Sequence, residues 1–267
     1  MIARICLEKS QFSKVFDSLV LLLQEDKLLL ETRGALIIRK LCALLDAKSI
    51  YVLIASIIDN NLDLEFSSVL VQTLNLILLT APELTSLRTS LKESFSGSTD
   101  STSTNTFITL FKSWCHNPVA TFSLCLLAQA YELSSSLIMK FANIDVTVGF
   151  LMQIDKLVQL LESPIFIHLR LELLEVNSKK NEDLLKSLYG LLMLLPQSQA
   201  YKTLSDRLTT VSSLQMHLKS NPQSNVGYSG KDREEYNFME LLTRFEEVQD
   251  KHNKFRAFLL QKNSLVS

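Results

Sequence analysis

Glycine and proline are scarce in this chain, with Gly 6 and Pro 5 among 267 residues. A strand-rich sandwich or barrel turns back on itself repeatedly and needs many more turn residues, so the composition points to an all-α fold. Hydrophobic residues make up 47% of the sequence and mean hydropathy is +0.17, which excludes an intrinsically disordered chain. A chain of this length can bury about three quarters of its unfolded surface, so its core needs neither metal nor disulfide. It is expected to form one large domain or two small ones.

Apolar residues recur at helical spacing along nearly the whole chain. Phe12, Phe16, Leu19, Leu23 and Leu30 mark a first helix over residues 12–31, which Gly34 separates from a second over 35–45. Residues 49–58 and 64–80 flank the turn-prone DNNLD at 59–63, and Pro82 opens 83–92. Asn117-Pro118 and Ser163-Pro164 are start signals, a capping side chain followed by a proline whose missing donor costs nothing there. Helix-pair starts near 11, 48, 83, 118, 146 and 181 lie 28 to 37 residues apart. That is the period of stacked helical hairpins, each of which buries its apolar face only against a neighbour. No side-chain signature repeats with it. The pattern predicts an irregular α-solenoid over residues 1–211.

Two stretches depart from the pattern. Residues 94–104 (SFSGSTDSTST) hold eight Ser or Thr in eleven and are expected as a surface loop, with phosphorylation as the sharper alternative. Residues 212–231, with Asn221-Pro222 and Gly230, are expected as a linker to a last element over 232–267. The two longest stretches without Asp, Glu, Lys or Arg are residues 113–131 and 66–82. The first opens with His116, Asn117 and Pro118 after Trp114; the second contains Ser67, Ser68, Gln72, Thr73, Asn75 and Thr80. Both are expected as buried helices, not membrane spans.

The chemistry-bearing residues form no recognisable site. Cys6, Cys42, Cys115 and Cys125 lie far apart with no CxxC pair, and they fit buried apolar positions in a reducing, cytosolic compartment. Residues 1–11 have no signal-peptide core ahead of Glu8 and Lys9. His116, His168, His217 and His252 are isolated from one another, and no HExxH, GxSxG or Gly-rich phosphate loop occurs. Asp155, Lys156 and Glu162 fit a charged solvent face. Trp114, the single Trp, fits either core packing or an interface anchor. No catalytic residue, cofactor or metal is expected. Lys+Arg 27 against Asp+Glu 28 gives a net charge of -1. That balance argues against nucleic acid, and for membrane recruitment through partners instead of headgroups.

The last element carries a three-four alternation: Phe238, Leu241, Phe245, Val248, His252, Phe255 and Leu259. Sustained over three heptads, it forms a seam for a neighbouring helix. The pairs Glu240–Arg244, Glu247–Lys251 and Asp250–Lys254 add about 0.2–0.5 kcal/mol each, so burial of the seam, at about 1.5–3 kcal/mol per side chain, decides whether the helix is ordered. It is expected to dock on its own solenoid, on a second copy, or on a partner, with His252 as a tolerated polar position. Phe238, Leu241, Phe245, Val248, Phe255, Leu259 and Trp114 are the candidate protein-interface residues.

Four strings carry a further resemblance. LETRGALIIRKLCALLDA at 30–47, WCHNPVATFSLCLLAQAYE at 114–132, IDKLVQLLESPIF at 154–166 and KSLYGLLMLLPQS at 186–198 closely resemble the C-terminal domain of the Vac-fourteen family. The resemblance runs from about Leu28 to Leu208 and resumes in YNFMELLTRFEEVQDK at 236–251. It implies a HEAT-repeat scaffold of the PIKfyve lipid-kinase complex without catalytic residues of its own. Such scaffolds bind the phosphatidylinositol 3-phosphate 5-kinase and a Sac-domain phosphoinositide phosphatase. They control phosphatidylinositol 3,5-bisphosphate at endosomal and vacuolar or lysosomal membranes. The C-terminal part engages the phosphatase and mediates self-association, implying a homo-oligomer. The family's long N-terminal array is missing, so a fragment or short form is expected. Without the resemblance, the residues fit a generic α-solenoid adaptor that binds cargo peptides in a groove, and a helical enzyme lacking known motifs is the remaining class.

Overall fold

The computed structural model describes residues 9–95, 101–175, 178–219 and 238–266, and these are all-α, with no strand among them. The chain divides into two compact units, Met1–Leu124 with Thr243–Ser267, and Cys125–Leu242.

The first unit contains α1 (Lys9–Glu25), α2 (Ala35–Leu44), α3 (Ala47–Asp59), α4 (Leu64–Thr80), α5 (Thr85–Glu93) and α6 (Ser101–Trp114), and most of α7 (Pro118–Leu127). α1, α3 and α6 pack side by side as one row, α2 and α4 as a second, in the alternating manner of a helical-hairpin array. Their shared core includes Phe16, Leu23, Ile38, Ile50, Tyr51, Leu70, Leu74, Phe107 and Phe111. Short polar side chains start three of these helices; of the two caps that the sequence predicts, Asn117 forms its bond and Ser163 makes none. Asp46 accepts from the Ser49 amide at 2.9 Å, Asp63 from Phe66 at 3.0 Å, and Asn117 from Ala120 at 3.0 Å.

Three local expectations are corrected. The first helix ends at Glu25, because Asp26 accepts from the Leu29 amide at 2.9 Å and starts a new turn. Gly34 then lies inside a π-turn, Leu30–Gly34, that runs directly into α2, so it does not separate two helices. Of the Ser/Thr-rich stretch, residues 96–100 lie outside the described residues, but α6 begins at Ser101. Ser94 and Ser103 are buried: the Ser94 hydroxyl donates to the Ser103 carbonyl at 3.1 Å, and the Thr104 hydroxyl donates to the Ser94 carbonyl at 2.9 Å. The apolar spacing of Phe107, Leu110, Phe111 and Trp114 holds that helix in the core, and the hydroxyls find partners around it.

The second unit contains α8 (Tyr131–Lys140), α9 (Val148–Leu161), α10 (Ile167–Glu172), α11 (Lys179–Leu194) and α12 (Gln199–Lys219). α8 packs on α11, α9 on α12, and α11 on α12, so two hairpins stack. Gly190 permits the close approach: a Cβ there would lie 2.7 Å from Ile138 Cγ1. The buried hydroxyls of Ser134 and Ser187 meet at 2.8 Å across the same contact. Asp155 and Glu162 do more than face solvent. Asp155 accepts from the Ser198 hydroxyl at 2.6 Å at the start of α12, and Glu162 pairs with Arg207 of α12. α12 continues to Lys219, eight residues into the stretch expected as a linker, and residues 220–231 lie outside the described residues.

Among the described residues no single helix is long and apolar enough to cross a membrane. The pair Leu64–Thr80 and Pro82–Glu93 passes such a test only jointly and is bent by 85°. Apolar α7 is enclosed, with Phe122, Leu124, Cys125, Leu126 and Leu127 fully buried.

Candidate functional site

Apart from Phe238, which directly precedes it, the seam residues lie on α13 (Met239–Val266), whose portion from Thr243 onward belongs to the first unit. Residues 244, 245, 248, 249 and 252 share one helical face. Within it, Phe245 and Val248 are each 1% exposed. Three polar contacts surround them. Arg244 pairs with Asp59 at the end of α3 at 2.6 Å, and the Gln249 amide donates to the Cys115 carbonyl at 2.6 Å. His252 Nε2 lies 3.1 Å from His116 Nδ1, with ring centroids 5.3 Å apart. The turn that carries Cys115 and His116 is fixed by backbone bonds from Cys115 to Phe111, His116 to Ser113 and Asn117 to Trp114.

Docking stops partway along the helix. Phe255 is 38% exposed, Phe258 60%, Leu259 39% and Leu260 71%. The seven candidate interface residues therefore separate into two groups. Leu241, Phe245 and Val248 are buried within the chain, and so is Trp114, whose indole N–H donates to Asn75 Oδ1 at 3.3 Å. These four pack within the chain's own core, one of the alternatives open for the seam and for Trp114. Phe255 and Leu259 remain accessible, Phe238 is half-buried, and Phe258 and Leu260 join the exposed group although they lie off the seam. The pattern identified the helix. It did not identify where its cover ends.

The electrostatics suit docking better than chemistry. Burial pushes the Cys42 thiol up to about 12, with Glu83 and Asp46 adding to it, and burial likewise raises Cys115 far above the ordinary range. Both thiols are unreactive at neutral pH. Cys125 is buried as well, and Cys6 lies outside the described residues. Burial first, and neighbouring positive charge second, lowers both His116 and His252 to about 4, so the pair is neutral at pH 7. His252 is thus a polar contact to the body, more than a tolerated seam position. His168 lies 3.3 Å from the Leu126 carbonyl, and the His217 side chain is outside the described residues. Among the described residues no group of three or more His, Cys, Asp or Glu could hold a metal ion.

A family model described as "Vacuolar protein 14 C-terminal Fig4p binding" matches residues 27–211. The chain belongs to that family. Its match runs from Lys27, ahead of α2, through Val211 in α12 and stops short of α13. Among relatives of this Vacuolar protein 14 family member, the "Protein VAC14 homolog" of Arabidopsis thaliana is 48% identical over 210 residues, covering 78% of this chain and 28% of the relative. The "Protein VAC14 homolog" of Schizosaccharomyces pombe is 42% identical over 245 residues, 90% of this chain and 28% of its own length. The "Vacuole morphology and inheritance protein 14" of Saccharomyces cerevisiae is 35% identical over 246 residues, 87% of this chain and 27% of its own. The chain thus spans just over a quarter of the length of these curated relatives. No solved structure matches it.

Proposed function

We propose that this chain is a non-catalytic scaffold segment that binds a Sac-domain phosphoinositide phosphatase of the Fig4p kind. In doing so it brings the phosphatase to the phosphatidylinositol 3-phosphate 5-kinase, and so controls synthesis and turnover of phosphatidylinositol 3,5-bisphosphate. The match of residues 27–211 to a Fig4p-binding family is the observation that carries this reading. The helical-hairpin packing supports it, because such arrays offer extended side-chain surface for another protein. The vacuole morphology named in the Saccharomyces cerevisiae relative supports action at vacuolar or endosomal membranes, on the cytoplasmic face, with attachment through partners. The exposure of Phe255, Phe258, Leu259 and Leu260, beyond the matched span, supports self-association through the uncovered end of α13. The direct test is to mix the purified chain with the purified Sac-domain phosphatase of the same organism and measure mass during size-exclusion chromatography. A co-eluting complex at micromolar concentration is the expected result, and separate elution of the two proteins would overturn the reading. Turnover of phosphatidylinositol 3-phosphate by the chain alone would overturn its non-catalytic part.

A further inference from the structure

The contact between His116 and His252 joins residues 136 positions apart, and the scaffold reading makes no use of it. Their ring nitrogens are 3.1 Å apart and their ring planes cross at 75°. A contact that short requires one proton between two nitrogens, with one ring donating and the other accepting. Two fully protonated rings have no acceptor to offer and set like charges against each other. The surroundings add to that repulsion. Facing the pair are Arg244, Lys251 and Arg256 from α13 and Asp59 from the end of α3. Asp59 is the carboxylate of that set, and Arg244 already holds it at 2.6 Å; Glu247, also on α13, lies 4.0 Å from Arg244 and is 59% exposed. Asp59 offsets part of the repulsion at His116, but burial and the neighbouring positive charges outweigh it.

We propose that His116 and His252 form an acid-sensitive latch, which holds α13 on the first unit and releases it when the rings take up protons. The sign follows from linkage. A histidine on an undocked helix titrates near its ordinary 6.5, whereas in the docked pair both rings are lowered to about 4. Docking is therefore at full strength above pH 6.5 and weakens as the pH falls toward 4, because the undocked state binds protons that the docked state refuses. At pH 5.0 the shift of His252, the ring carried on the undocked helix, weakens docking by roughly thirtyfold. Release uncovers Phe245 and Val248 and extends the apolar row that begins at Phe255.

Hydrogen exchange of the full chain tests the latch, with peptides from residues 243–258 followed between pH 7.5 and 5.0 and rates corrected for intrinsic chemistry. Protection of that segment is expected to fall more than tenfold while the α8 and α11 peptides keep theirs. A chain carrying both His116→Gln and His252→Gln should lose this pH dependence. Protection that does not change with pH, or a dependence that survives in the double variant, would overturn the latch. Should the double variant fail to fold, histidine resonances of the unaltered chain decide. Two rings titrating below pH 5 support the latch, and either ring titrating near 6.5 with α13 still protected sinks it.

Discussion

Arg88 shows how one side chain can hold a corner of this fold. α4 ends at Thr80, just before Pro82, which cannot donate, and its last carbonyls would be left without partners. The guanidinium of Arg88, only 9% exposed, donates to the carbonyls of Leu78 at 2.8 Å and Ala81 at 2.7 Å, and to the Thr85 hydroxyl at 3.0 Å. Arg170 repeats the arrangement after Pro164, donating to Leu161 at 2.8 Å and Ser163 at 3.0 Å. The strings LLTAPELTSLR at 78–88 and LLESPIFIHLR at 160–170 match at both leading Leu residues, at Pro and at the closing Leu-Arg. This side-chain signature repeats at a spacing of 82 residues, which is no multiple of the hairpin period, so it leaves standing the reading that none repeats with that period. Arg88→Met keeps the aliphatic stem but strands two buried carbonyls, at a cost of about 1–3 kcal/mol. Urea unfolding should show that loss, a smaller one for the more exposed Arg170→Met, and partial recovery with Arg88→Lys. An unchanged midpoint for Arg88→Met would mean that water serves these carbonyls equally well.

Between elements, close packing sets the tolerance, and α8 against α11 is the tightest example. Gly190→Ala ordinarily strengthens a helix by about 0.5–1 kcal/mol. Here the new methyl would sit 2.7 Å from Ile138 Cγ1 and 2.9 Å from its Cγ2, so overpacking at about 1–3 kcal/mol should outweigh the gain. Ile138→Val in the same chain should relieve part of the clash, and a double-mutant cycle read by thermal or urea unfolding should give a favourable coupling. Strictly additive losses would place the strain elsewhere. The existence of these helices was legible in the sequence: starts at 47, 118, 148 and 179 fall within two residues of expectation, because apolar period and capping are local properties. The rows into which they assemble were not legible. α5 was expected to open a hairpin, yet it is a short helix after the Pro82 corner, and the row runs from α3 to α6. The candidate site divides in the same way. A seam at three-four spacing reveals that α13 has an apolar face, but no local rule says where its cover stops, and nothing in spacing joins His252 to His116.

For the whole molecule, the uncovered end of α13 and the matched span 27–211 make separable demands. The near-balanced charge of -1 gives little long-range repulsion between copies, so the proposed self-association would be governed by apolar contact. Phe258 and Leu260, 60% and 71% exposed, contribute little to this chain's own core. Placing Asp at both positions should leave helix content and unfolding midpoint close to those of the unaltered chain, because surface changes away from packed features cost within about 0.5 kcal/mol. Across a copy-to-copy contact the same changes would bury two unpaired carboxylates, weakening self-association by roughly tenfold or more. Phe245→Asp provides the contrast: it breaks docking within the first unit, so exchange protection and thermal stability should fall along with assembly. Light scattering over a hundredfold concentration range, run beside phosphatase binding, distinguishes the outcomes. The expected result for Phe258→Asp with Leu260→Asp is a shift toward the protomer mass of 30.3 kDa with phosphatase affinity preserved. An unchanged mass would remove α13 from the assembly contact. A parallel loss of phosphatase binding would show that the exposed end of α13 and the 27–211 span act as one surface.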